Sequence, residues 1–219
     1  MKTSVPKAIL FDIDDTLFPS SEFSSKARAN AISAMICAGM GATPSSAQKV
    51  LQKIISKRGS NYAHHFDELV KEFVCKDSSH AVAAGIWAYH STKSSIRPYI
   101  GTKNGLLKLK KRGYILCVAS QGRVIKQWDK LIRLGLDSYF EHVFVTSKRK
   151  DRKFYTLISK KLKIPPSQIL MVGDNPQTDI LPAKCAGMQT ARLMCGKHVR
   201  ESGKAQIMLS SLGKLFSLL

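Results

Sequence analysis

No apolar stretch in this 219-residue chain reaches the roughly 20 residues that a membrane-spanning helix needs. Its beginning runs straight into a predicted strand, without the design of a signal peptide, so a cytoplasmic protein is expected. The five cysteines (Cys37, Cys75, Cys117, Cys185 and Cys195) lack the close spacing of a metal motif. Their odd number, in apolar surroundings, argues for free thiols in a reducing compartment. No internal repeat or low-complexity tract is present. Acidic residues are few: 15 Asp and Glu stand against 35 Lys and Arg, a formal net charge of +20. Such a balance can mark a nucleic-acid partner. Here the basic residues are spread over several predicted helices, with Lys108, Lys110, Lys111 and Arg112 on one and Lys160, Lys161 and Lys163 on another. No helix-turn-helix or zinc-finger spacing accompanies them. The excess charge therefore reads mainly as solvated surface that steers anionic substrates, with nucleic acid the less favoured partner.

What the chain does have is an alternation of short apolar runs with helical patterns. Strands are expected at about 8–12, 114–119, 143–145, 169–173 and 189–193. Helices are expected at about 102–112, 123–134, 152–163 and 179–186. Gly113, Gly135 and Gly187 stop three of these helices, and Pro165-Pro166 follows the other. Residues 207–209 and 212–219 read as a final strand and helix. This alternation implies right-handed crossovers and a parallel sheet flanked by helices, an α/β Rossmann-like core.

Residues 20–96 have a different texture. Ala27, Ala31, Ala34 and Met35 recur at helical spacing, as do Val50, Leu51, Ile54 and Ile55. Phe66, Leu69, Val70 and Phe73 form a third set, and Val82, Ile86 and Tyr89 a fourth. An all-helical insert is expected here, joined near Pro19 to Glu22 and near Ser94 to Pro98. The core would then comprise residues 1–19 and 97–219, and the insert residues 20–96.

The most informative stretch is Ala8-Ile9-Leu10-Phe11-Asp12-Ile13-Asp14-Asp15-Thr16-Leu17. Its apolar run reads as a fully buried strand ending in a carboxylate. Ligands of open α/β sheets sit just beyond the carboxyl ends of such strands. Asp12 and Asp14 would lie side by side there, and their repulsion calls for a cation or a proton. An oxygen-only cluster suits a hard ion such as Mg²⁺. Downstream, Ile169-Leu170-Met171-Val172-Gly173-Asp174 repeats the design, with Asp179 five residues on. Between them, Ile115 to Ser120 is a strand ending in a hydroxyl, and a basic cluster from Lys148 to Lys153 follows a further strand.

In this order of stations the chain resembles the haloacid dehalogenase-like (HAD) superfamily. Asp12-Ile13-Asp14-Asp15-Thr16 matches DxDxT, Ser120 and a lysine supply the middle stations, and Gly173 to Asp179 matches GDxxxxD. The helical insert looks like the cap domain of subclass I, and the layout is similar to archaeal glyceraldehyde 3-phosphate phosphatase-like members.

The resemblance implies hydrolysis of a small phosphorylated metabolite with Mg²⁺ as cofactor, by a monomer or homodimer. Asp12 would be the nucleophile and Asp14 the general acid and then base. The Asp12 carboxylate, the Asp14 backbone carbonyl and Asp174 would hold the metal, with Asp179 orienting its shell. Thr16 would brace the turn through its hydroxyl, and Ser120 would hold phosphate oxygens. An acid at Asp14 suits an alkoxide leaving group, which argues against dehalogenation. Family members carry a phenylalanine six residues after the lysine, and counting back from Phe154 selects Lys148. Lys150, just before Asp151 as a helix N-cap, is the alternative, and Lys153 would fall inside the helix. Substrate contacts are expected from Gln121, Gly122 and Lys150, and from Tyr62 and His65 in the cap. The rival readings are a HAD-like protein with little catalysis that binds nucleic acid or another partner, and a phosphomutase.

Overall fold

A computed structural model describes residues 5–60 and 62–219. The described chain forms two compact units: residues up to Ser21 with Arg97–Leu219, and Glu22–Ile96. Following the chain, β1 (Ala8–Phe11) leads into α1 (Ser20–Cys37), α2 (Pro44–Arg58), α3 (His65–Val70) and α4 (Ser78–Lys93). The remainder is α5 (Thr102–Lys111), β2 (Ile115–Gln121), α6 (Val124–Leu134), β3 (His142–Thr146), α7 (Arg152–Leu162), β4 (Ile169–Gly173), α8 (Leu181–Cys185), β5 (Gln189–Leu193), β6 (Ile207–Leu209) and α9 (Leu212–Leu218).

The helical unit is held by a core of Ile32, Met35, Met40, Leu51, Ile54, Leu69 and Val70. Its helices start where the chain supplies caps. Thr43 accepts from the Ser46 N–H in a reciprocal box with Pro44 at the first position, and Asp77 accepts from the His80 N–H at 3.0 Å. Gly85 in α4 allows close approach to α1, because a Cβ there would lie 2.7 Å from Met35 Cγ. The third helix is shorter than its apolar spacing predicts: it ends at Val70, and Phe73 lies in the following turn.

The other unit is a six-stranded, wholly parallel sheet in the order β3-β2-β1-β4-β5-β6. This is the Rossmann-like α/β architecture expected from the alternating pattern. β1 and β4 are buried along their whole length, the signature of strands covered on both faces. On one face Leu10, Cys117, Ala119 and Met171 pack with Tyr155 and Ile158 of α7 and Ala183 of α8. Asp151 caps α7 by accepting from the Phe154 N–H at 2.8 Å. Gly135 ends α6 in the left-handed conformation that glycine adopts at little cost.

The helix expected at 179–186 begins differently. Residues Pro176–Ile180 form a single π-helical turn, in which the Leu181 N–H donates to Pro176 O, and α8 is only five residues long. Asn175 caps that turn by accepting from the Gln177 and Thr178 N–H groups, and Pro182 has no N–H with which to extend the ladder. None of the five cysteines forms a disulfide. No helix among the described residues is long and apolar enough to cross a membrane.

Candidate active site

The strand register sets the site. Phe11 pairs with Val118 on one side and with Val172 on the other. The next residue, Asp12, continues the ladder by donating its N–H to Val172 O at 3.0 Å. Asp12 therefore emerges level with the ends of β2 and β4, where Ser120 and Asp174 follow. A tight turn then redirects the chain: the Leu17 N–H reaches back to Ile13 O at 2.9 Å, and Asp15 takes a left-handed φ of 51°. That conformation is costly for a residue with a Cβ, and aspartate is among the few that tolerate it. Asp15 is held there on two sides. Its carboxylate accepts from the N–H and hydroxyl of Ser21, and its carbonyl accepts from Cys195 Sγ at 2.9 Å.

Carboxylate oxygens of Asp12, Asp174 and Asp179 lie within 4.8 Å of one another, and all three residues are buried. Lys150 Nζ donates to Asp12 Oδ1 at 2.8 Å and to Ala119 O at 3.3 Å, and forms an ion pair with Asp179. Burial alone would push the Lys150 ammonium down, but Asp12 and Asp179 together hold it well above its usual range. Burial raises Asp12, and Asp179 raises it further, against the pull of Lys150. Asp174 is pushed up to about 8, first by burial and then by the charges of Asp179, Asp12 and Asp15. Three carboxylates share one ammonium, so the cluster lacks positive charge. A divalent cation fits that deficit in charge and in ligand type, since hard ions prefer carboxylate oxygen.

Asp179 is tied on both sides. One oxygen faces Lys150, and Oδ2 accepts from the Asn175 N–H at 3.1 Å. Gly173 permits this close approach, because a Cβ there would lie 2.4 Å from Asp179 Oδ2. Tyr155 braces the same loop from α7, its hydroxyl donating to Thr178 O at 2.9 Å.

The structure brings most of the sequence-selected residues together, with differences. Lys150, rather than Lys148, has its ammonium in the cluster. Only four residues join β3 to the Asp151 cap; Lys148 sits exposed in that turn, where its N–H donates to Thr146 Oγ1 at 3.2 Å. Lys153 lies within α7 and is exposed. The Asp14 carboxylate is not part of the group of three, and both of its oxygens accept from Lys130 Nζ, at 2.8 and 2.6 Å. Thr16 does not brace the turn through its hydroxyl: Oγ1 is buried and has no hydrogen-bond partner among the described residues. Ser120 is buried at the end of β2, with Oγ 3.5 Å from Gln127 Oε1. Gln121 is exposed, and its carbonyl accepts from Gln127 Nε2 at 3.1 Å. The Gly122 N–H donates to Thr146 O at 2.8 Å, with φ +142°. Tyr62 and His65 are engaged inside the helical unit. The Tyr62 hydroxyl donates to Glu68 Oε1 at 2.8 Å beneath the Arg58 guanidinium, and His65 Nε2 is 2.9 Å from Gly59 O.

Three participants escaped the sequence reading. Lys130 and Gln127 are three residues apart on α6, and the signal for the burial of Gln127 was its helical spacing with Leu131 and Leu134. Arg192 in β5 is 1% exposed and donates to four backbone carbonyls: Asp174, His198, Glu201 and Gly203. It fastens the segment after β5 to the backbone of Asp174. An arginine inside a predicted buried strand was the signal that could have revealed it.

The chain is 41% identical over 197 residues to a glyceraldehyde 3-phosphate phosphatase of Methanocaldococcus jannaschii, covering 88% of this chain and 86% of that protein. It is 39% identical to the Pyrococcus furiosus protein of the same name, covering 88% and 82%. Among solved structures, a putative beta-phosphoglucomutase of Thermotoga maritima shares the fold with a TM-score of 0.74 at 17% identity, covering 97% of each chain. The model of the haloacid dehalogenase-like hydrolases matches residues 6–187. With a parallel sheet that gathers Asp12, Ser120, Lys150 and Asp174 at one edge, and with relatives this similar over most of its length, the chain belongs to the haloacid dehalogenase-like hydrolase family.

Proposed function

We propose that the protein is a Mg²⁺-dependent phosphatase that hydrolyses a small phosphorylated metabolite through an aspartyl-phosphate on Asp12. The observation that carries this reading is the cluster around Asp12: a buried carboxylate beside an ammonium and two further carboxylates, at the carboxyl edge of a parallel sheet. Burying so many uncompensated carboxylates is costly unless a cation joins them. Asp12 and Asp174 would hold the ion, and Asp179, with both oxygens engaged, would orient the shell. When bound, a divalent ion supplies the charge neutralisation that lets an anionic nucleophile approach an anionic phosphate.

The chain's own residues divide the rest of the work. An Asp12 oxygen attacks phosphorus as the bond to the leaving oxygen breaks, and Asp14 gives that oxygen its proton. Water then attacks phosphorus, Asp14 takes the proton from the water, and the Asp12–phosphorus bond breaks. The sum is phosphate monoester plus water giving alcohol plus phosphate. Lys150 steadies the Asp12 carboxylate for the approach. Ser120 and the N–H groups at the end of β2 supply donors to phosphate oxygens. Five archaeal relatives at 36–41% identity carry the name glyceraldehyde 3-phosphate phosphatase, which supports a three-carbon monoester as the first candidate substrate.

The test is phosphate release from a panel of sugar, glycolytic and nucleotide monophosphates, with Mg²⁺ or with EDTA, beside Asp12→Asn. Release that needs the metal and that the variant lacks is expected. Release by a folded Asp12→Asn variant at the wild-type rate would remove Asp12 as nucleophile. A bisphosphorylated product would instead mark a mutase.

A further inference from the structure

Lys130 is not a solvated surface lysine. Its side chain is 18% exposed, and all three ammonium donors have partners: both oxygens of Asp14, at 2.8 and 2.6 Å, and Gln127 Oε1 at 3.3 Å. Gln127 lies one turn earlier on α6 and is 4% exposed. Its amide oxygen also faces Ser120 Oγ, and its amide nitrogen donates to Gln121 O. The pair thus links the acid on the loop after β1 to the phosphate-holding end of β2. Gly122 is shaped by the same link. A Cβ there would stand 2.4 Å from Gln127 Nε2, so a side chain at 122 would expel the amide.

Two bonds from one ammonium to both oxygens of a carboxylate fix its side-chain torsions; in the protonated acid one oxygen would keep the bond to Lys130 while the other carries the proton. Asp14 is otherwise free to swing, since its side chain is 41% exposed and it sits just before the left-handed Asp15. A general acid must meet the leaving oxygen within hydrogen-bond reach, and a displacement of about 1 Å can cost on the order of 10²-fold in rate. We propose that Lys130 is the positioning residue for Asp14, holding its carboxyl in register with the phosphate-binding end of β2 through Gln127. This rests on the reading of Asp14 as the acid and base of a phosphatase. In this reading Lys130 acts through Asp14 and not on phosphorus or the leaving group.

The test uses Lys130→Met and Lys130→Arg in the full chain, with Asp14→Asn alongside. Two esters are compared: glyceraldehyde 3-phosphate, whose alkoxide leaving group needs a proton, and p-nitrophenyl phosphate, whose phenolate does not. For Lys130→Met, the first-turnover rate of alcohol release from the alkyl ester, which reports phosphorylation of the enzyme and not the later hydrolysis common to both esters, should fall about 10- to 100-fold. The p-nitrophenolate burst, which reports phosphorylation of the enzyme alone, should fall several-fold less. Lys130→Arg, which keeps two donors aimed at a carboxylate, should recover part of the loss. A purely structural role would lower both esters equally and lower the melting temperature with them. Equal first-turnover losses for the two esters, or no loss, in a folded Lys130→Met overturn the inference, provided Asp14→Asn separates the two esters. If Asp14→Asn treats the esters alike, the acid reading of Asp14 fails instead. Should Lys130→Met not fold, Lys130→Gln and Gln127→Leu carry the same comparison, because each loosens the hold on Asp14 while keeping the site's other charges.

Discussion

Replacing Lys150 by methionine removes the single ammonium from a cluster of three buried carboxylates. Lys150 is 3% exposed, so water cannot take over its role. Breaking a buried ion pair by deleting one partner costs about 3–5 kcal/mol. At roughly 2–4 °C per kcal/mol for a chain of this size, the metal-free variant should melt about 6–20 °C lower. Added Mg²⁺ should recover more of this loss than it adds to the native protein, since the ion then carries all the compensation. Loss of a charge-stabilising donor at the reacting centre costs about 10²–10³ in kcat. Lys148→Ala is the matched control: the residue is exposed, and its stability change should stay within about 0.5 kcal/mol. Melting curves with and without Mg²⁺, together with phosphate release, give both numbers on the same samples. If Lys148→Ala loses activity while Lys150→Met turns over normally, the geometric argument for Lys150 is refuted.

Asp12→Asn should abolish turnover yet leave the far-UV circular dichroism intact, because the amide fills the same volume. Asp174 gives a pH signature: its folded-state pKa of about 8 lies above the ordinary 3.8, so the metal-free folded form keeps a proton that the unfolded chain loses. Stability from that proton should be full below pH 4 and decline as pH rises toward 8, which melting of the EDTA-treated protein would show; a flat profile would contradict it. Because metal binding must expel the same proton, Mg²⁺ affinity should rise with pH over that window, and calorimetry in buffers of different ionisation enthalpy should count the proton released. Gly173→Ala would place a Cβ 2.4 Å from Asp179 Oδ2, so metal affinity should drop while Asp12 stays in position, measurable as a rightward shift of the Mg²⁺ activation curve.

The sheet was legible because β1, β2 and β4 are buried on both faces and read as unbroken apolar runs. Asp12 and Asp174 were legible because each sits one residue past such a run, and Asp179 because it follows Asp174 five residues on. Lys150 was harder. Counting back from Phe154 assumes a loop of standard length, whereas the path of a loop is set in three dimensions; the local signal was the Asp151 cap, which places Lys150 as the last residue before the cap of α7. Thr16 shows the opposite error, a hydroxyl given a partner because hydroxyls usually find one. Lys130 and Gln127 were missed although Gln127 shares the buried face of α6 with Leu131 and Leu134, because a glutamine at such spacing carries no sign of which groups it will meet. In Tyr62 and His65, aromatic and imidazole groups that looked free for substrate are engaged by Glu68 and by Gly59.

The central position of β1 has a consequence for how the protein is made. Of the six strands it leaves the ribosome first, yet its two neighbours, β2 and β4, come much later. The β4 edge of β1 waits for roughly 160 further residues, on the order of ten seconds at typical rates of synthesis. During that interval Ala8–Phe11 is an apolar strand with open hydrogen-bonding edges, a template for pairing with another nascent chain. The helical residues made in between complete their own core well before the strand is enclosed. Expression yield should therefore respond to translation speed and chaperone supply more than to the stability of the finished fold.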